Sequence, residues 1–191
     1  FRLGILTDDG DLWREAVQDW WRRTGYPLST GHARLFRHAL GGLDDFIGLL
    51  QPLLGAESPR LLPPTPPLAE VLNGYEPLRG RFRALADQWL ADGERLKQIL
   101  RDSKRLSRAK DTFYKSDILE GVFEVLDAWA ASPEPLPPPN EFSALTPATM
   151  AAKAKKAQDP ALEDPFFLAC GEAADARDRL RRDMRTAALA D

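Results

Sequence analysis

The sequence predicts an all-α fold, on three observations. Apolar residues recur at three- and four-residue spacing through most of the 191 residues. No stretch alternates apolar and polar residues as a half-buried strand does. Proline concentrates in two surface connectors, residues 57–67 and 132–140, and leaves long helical patterns between them. The architecture expected is an irregular multi-helix domain spanning residues 1–191, with one long helix.

The first helix is expected over about 9–24. Leu12, Trp13, Ala16, Val17, Trp20 and Trp21 supply its apolar positions. Asp8, Asp9 and Asp11 favour its N-terminus, Arg22 and Arg23 its last turn, and Gly25 stops it. Trp21 lies off the main stripe and is expected to face a neighbouring domain. After Tyr26-Pro27-Leu28, Ser29 or Thr30 can cap a short helix to Leu40, which Gly41-Gly42 breaks. A helix over about 43–54 carries Leu43, Phe46, Ile47, Leu49, Leu50 and Leu53, with Pro52 bending its last turn.

Beyond the first connector a helical pattern runs from about 68 to 102, interrupted by Asn73-Gly74 and Pro77. Phe82, Leu85, Trp89, Leu96 and Ile99 form a near-heptad stripe that suits packing on a partner helix. Residues 101–115 read as a polar, basic corner. A helix over about 116–131 should bury Ile118, Val122, Val125, Leu126 and Trp129. Thr146-Pro147 pairs an N-cap with a first-turn proline and opens a short helix over about 147–156. A last helix, about 165–189, carries Phe166, Phe167, Leu168, Ala173, Leu180 and Met184.

Apolar residues make up 43% of the chain and charged residues 29%, with a formal net charge of −3. That is enough apolar material for a core. The overall charge argues against a wholly basic nucleic-acid binder but leaves room for a local basic patch. Cys170 is the one cysteine, so no disulfide can form within the chain, and a reducing, cytoplasmic setting is expected. No apolar run approaches the roughly 18 residues of a membrane span, so no membrane partner is expected. The opening residue, Phe1, fits a fragment of a longer protein.

Neither a G-x-x-x-x-G-K-[ST] nor a G-x-G-x-x-G phosphate loop occurs. His32 and His38 stand six apart, off the i, i+4 spacing that would share a helix face, and no zinc spacing exists with a lone thiol. Cys170 sits among Phe166, Phe167, Leu168 and Ala169 with no base in view, and reads as a buried structural thiol. The carboxylate pairs Asp8/Asp9, Asp44/Asp45 and Glu163/Asp164 read as helix-start residues, where negative charge is favourable. No catalytic, cofactor-binding or metal-binding residue is therefore assigned, and this chain alone is not expected to be an enzyme.

The positive signal is the corner 101–115. Arg101, Lys104, Arg105, Arg108, Lys110 and Lys115 stand there against Asp102 and Asp111, with Phe113 and Tyr114 interleaved and hydroxyls at Ser103, Ser107 and Thr112. Cations and hydroxyls at a helix-helix tip are the ingredients of a sequence-independent contact to a phosphate backbone. Lys153, Lys155 and Lys156 make a second, smaller cluster. Both stretches also suit a plain solvated surface.

The chain resembles the 1B subdomain of the RecB-like family, the β subunits of bacterial exodeoxyribonuclease V. The likeness rests on Asp11-Leu12-Trp13-Arg14, Asp19-Trp20-Trp21-Arg22-Arg23, Tyr26-Pro27-Leu28, Leu54-Gly55 and the Pro59 to Pro67 connector. It continues through Trp89, the basic corner, Ala128-Trp129-Ala130, Leu136-Pro137, Glu141-Phe142-Ser143 and Asp164-Pro165-Phe166-Phe167. It runs in order from about residue 1 to 185 and is loosest at 73–81 and 148–163.

RecB-like proteins are superfamily 1 helicases fused to a nuclease domain. The resemblance implies an insertion in the first motor domain that forms an arm towards duplex DNA, in a parent acting in double-strand-break repair and recombination. It places ATP, Mg²⁺ and the helicase and exonuclease chemistry in flanking sequence, so this fragment is expected to hold no cofactor. The partners it implies are the double-stranded DNA backbone and, through the parent, RecC-like and RecD-like subunits. Combined with the residues, it points to Lys104, Arg105, Arg108, Lys110 and Lys115 as phosphate contacts and to Tyr114 as a packing or sugar contact, with Lys153, Lys155 and Lys156 in support. An insertion should also bring the first and last helices side by side, with Trp20/Trp21 and Phe166/Phe167 as candidates for that seam. The alternative is a protein-interaction module docking a RecC-like subunit or neighbouring RecB-like domains.

Overall fold

The structure is a computed structural model that describes residues 9–54, 66–110, 112–134, 136–154 and 160–190. Most of the first proline connector, together with Asp111, Lys155 and Lys156, lies outside the described residues. The fold is all-α. Its helices are α1 (Asp9–Gly25), α2 (Thr30–Leu40), α3 (Leu43–Leu54), α4 (Leu68–Asn73), α5 (Tyr75–Asp102), α6 (Ser116–Ala130), α7 (Pro147–Ala152) and α8 (Pro165–Ala190). Two 3-10 turns, Asn140–Leu145 and Pro160–Glu163, complete the described elements. Among the described residues the only β-type pairing is one isolated antiparallel bridge, Leu106 with Ala154. Among the same residues no helix is long and apolar enough to cross a membrane.

The chain divides into two compact units. One comprises Phe1–Leu72 with Arg181–Asp191, the other Asn73–Leu180. The 26-residue α8, about 39 Å long, contributes to both. Its residues to Leu180 belong to the second unit and those from Arg181 to the first.

The first unit is built around aromatic rings. Trp20 stacks on Phe46 at 4.8 Å, and Trp21 packs tilted on Phe36 at 4.9 Å. Trp21 thus packs within its own unit, because α2 and α3 present Phe36 and Phe46 to both tryptophans. Ser29 Oγ accepts the His32 amide at 3.3 Å and starts α2. Gly41 ends α2 at φ +80°, where a side chain would be strained and would collide with Asp45. The Arg185 Nε donates to the Ala39 carbonyl at 3.0 Å, tying the end of α8 to α2.

In the second unit α5 carries the core stripe. Tyr75, Phe82, Trp89 and Leu96 recur every seven residues and are buried, with Ala86 and Gly93 between them and Leu100 beyond. Ile99 is only partly buried, and Leu100 takes the core position. The buried face of α6 is Leu119, Val122, Phe123, Leu126 and Ala130, which is rotated about one residue from the expected face. Ile118 and Val125 are left 38% and 37% exposed. Phe123 decides that rotation: it meets Trp89 at 6.2 Å, and the Arg101 guanidinium lies 5.0 Å over its ring. Between the two helices Asp127 accepts from Trp89 Nε1 and Lys97 Nζ, both at 2.8 Å. Phe166 packs on Trp89 at 6.0 Å and on Phe167, so these residues serve this core.

The second proline connector is held like a strap. Arg83 donates to the Ser132 carbonyl at 3.0 Å, Trp129 Nε1 to Leu136 at 2.8 Å, and Arg177 Nη1 to Pro139 at 2.6 Å. Pro137 and Pro138 are buried. The following 3-10 turn, which the sequence reading misses, buries Phe142, Ala144 and Leu145.

Candidate nucleic-acid interface

The basic corner begins where α5 runs out. A helix C-terminus leaves its last four carbonyls without helical partners. Here Ile99 accepts the Ser103 amide at 3.1 Å, and the guanidinium of Arg108 folds back to take the next two. Its Nη2 donates to the carbonyls of Leu100 and Arg101, each at 2.7 Å, with the Ser103 carbonyl at 3.3 Å beside them. Its Nη1 donates to the Tyr114 carbonyl at 2.7 Å, across the loop. The cation sits at the negative end of a 28-residue helix, a favourable place for it.

Other bonds brace the same loop. The Thr112 hydroxyl donates to the Ser107 carbonyl at 2.9 Å. The Tyr114 hydroxyl donates to the Ala144 carbonyl at 2.9 Å from a side chain with 0% exposure, and burial pushes its pKa up. Ser107 N–H donates to the Lys153 carbonyl at 3.0 Å, next to the Leu106–Ala154 bridge. This pairing brings Lys153, the described lysine of the second basic stretch, to the loop. Thr146, whose hydroxyl accepts the Thr149 amide at 3.3 Å, starts α7, and Lys153 closes it.

The candidate residues thus separate by environment. Lys104 and Lys110 are exposed and Arg105 is partly exposed, and none of the three makes a hydrogen bond or ion pair among the described residues. Lys153 stands beside them across the bridge. Lys115 is paired with Asp117 at 2.7 Å, and that hydrogen bond holds the Asp117 carboxyl below its usual range. Arg101 makes a two-pronged contact to Glu120, at 2.7 and 2.8 Å.

One expectation is corrected, and for Tyr114 one of two alternatives is selected. Arg108 is not an outward phosphate contact, because its donors are committed to backbone carbonyls. Tyr114 is a packing residue and not a sugar contact, because it is wholly buried. Lys155 and Lys156 fall outside the described residues.

Burial, and then the Asp164 charge, raise the pKa of the wholly buried Cys170 thiol, so the reactive thiolate is disfavoured. Asp45 accepts the Gly42 amide at 2.8 Å and Asp164 the Phe166 amide at 2.9 Å, both at helix starts. Among the described residues no three His, Cys, Asp or Glu side chains gather as a metal site would require. Sequence reasoning missed Arg177, which is 4% exposed and holds both Pro139 and the Ser143 hydroxyl. Its signal was a cation inside the apolar run Ala173, Ala174, Ala176 and Leu180.

Compared with protein-family models and with curated proteins, the chain matches none.

Proposed function

We propose that this chain is a non-catalytic, DNA-contacting helical arm of the kind that forms the 1B subdomain in RecB-like helicase-nucleases. It meets the phosphate backbone of duplex DNA through Lys104, Arg105 and Lys110, with Lys153 alongside. The observation that carries this reading is the Leu106–Ala154 pairing, which sets the backbone of Lys153 against the basic loop in a chain whose net charge is −3.

The chemistry of the site favours duplex over single strand. Single-strand binders stack bases on exposed aromatic rings. Near this loop Tyr114 is buried and Phe113 is partly buried, so cations are what the loop offers. Cations without base-reading side chains give sequence-independent contact. In the reading proposed, ATP hydrolysis and strand cleavage belong to the flanking motor and nuclease domains of a RecB-like parent, which acts in double-strand-break repair.

The test is the affinity of the chain for a short duplex across a series of salt concentrations. Three contacted phosphates predict a log–log slope of roughly −3. Absence of binding at the lowest salt, or a flat salt dependence, overturns the reading. A second reading, a face that docks a RecC-like subunit or a neighbouring domain, draws on Ile118 and Val125, which share one exposed face of α6. It expects no duplex binding by the isolated chain.

A further inference from the structure

We infer that Arg108 is the positioning residue of the phosphate-contacting loop: it sets the register in which Lys104, Arg105 and Lys110 face outward together. The inference rests on the duplex-contact reading of the same loop. Arg108 lies between Arg105 and Lys110 in sequence, yet its guanidinium points inward and spans the loop. On one side it holds Leu100, Arg101 and Ser103 at the end of α5. On the other it holds Tyr114, whose ring is fixed by Ala144 just before α6. The two ends of the loop are thereby closed through one side chain. The outer face is left to residues that bond to nothing else among the described residues.

A planar guanidinium with five donors can bridge carbonyls on two sides at once. An ammonium on a flexible stem carries the same charge and cannot reproduce that fork. This separates positioning from contact. A residue that touches phosphate acts by its charge, so lysine in place of arginine preserves the salt slope. A residue that acts by its fork does not tolerate the exchange.

The experiment compares wild type, Arg108→Lys, Arg108→Gln and Lys104→Gln by duplex binding across salt, with amide hydrogen exchange read at Ser107 and Thr112. Lys104→Gln should reduce the slope by about one unit. Both Arg108 variants should reduce it by about two or more, because several cations lose their common register. They should also speed exchange at Ser107 and Thr112 by about tenfold, the equivalent of one charge-assisted hydrogen bond. Arg108→Lys, which keeps the charge and the stem, serves if Arg108→Gln fails to fold.

A wild-type slope retained in Arg108→Lys, with a one-unit loss in Arg108→Gln, makes Arg108 a direct contact and overturns the inference. A wild-type slope in both variants, with faster exchange alone, makes it a mere structural brace and overturns it equally. Wild type that binds no duplex removes the underlying reading, an outcome distinct from either.

Discussion

Two irregular segments of the second unit, the basic loop 103–115 and the proline strap 132–139, are both held by arginine on backbone carbonyls. They differ in where the arginine comes from. The strap is gripped from helices on either side: Arg83 from α5, Trp129 from α6 and Arg177 from α8. Its own residues, from Ser132 to Pro139, include no cation. The loop is held by its own Arg108, and Lys104, Arg105 and Lys110 remain turned to solvent. A segment held from outside becomes part of the core. A segment held from within keeps a face free for a partner. Substitutions that release the strap should therefore cost stability and leave DNA binding alone, and those of the loop's outward cations should do the reverse.

The largest effect expected is from Arg177→Ala. It strips part-buried acceptors at Pro139 and Ser143 of a buried partner, and should lower unfolding stability by about 3 kcal/mol with an unchanged salt slope. Urea unfolding and duplex titration on the same sample check both halves. Trp129→Phe is milder. It removes one hydrogen bond, to the Leu136 carbonyl, and should cost about 1 kcal/mol in the same unfolding experiment.

A third change addresses acid stability. Burial raises the pKa of Asp164, but the hydrogen bonds from Arg95 and the Phe166 amide outweigh it and hold the carboxyl below its usual range. A depressed folded-state pKa gives stability that is present above the unfolded value and lost as the pH falls through the folded one. Asp164→Asn keeps the oxygen that caps α8 and removes the charge. It should flatten the fall in stability below about pH 4, as followed by circular dichroism at a series of pH values. The smallest stability effect is from Lys104→Ala, expected within about 0.5 kcal/mol of wild type. A loss larger than that would mean the loop's outer face is packed, and would erase the contrast with the strap.

Much of the helix order is legible in local chemistry. Ser29 and Thr146 cap where hydroxyl caps are expected, and Gly41 stops α2 by its backbone. The faces are less legible. Ile118 and Phe123 both fit an apolar stripe, and only the approach of Trp89 and Arg101 decides that α6 turns Phe123 inward. The candidate site was readable as composition, since cations cluster at 101–115 and 153–156. Their roles were not. Whether an arginine faces water or carbonyls depends on where the helix end and the returning chain lie, and the bridge between Leu106 and Ala154 joins residues far apart in sequence. Arg108 and Lys110 look alike in a string of letters, yet one is spent on four carbonyls and the other is exposed.

The central claim is that the outward cations of the loop hold duplex phosphate. It is tested most directly by reversing Lys104, Arg105 and Lys110 to Glu together, with Arg108 left in place, and measuring duplex affinity at low salt beside the melting temperature. The account predicts that binding is lost while the melting temperature stays near that of wild type. Binding retained at wild-type strength by the triple reversal would contradict it.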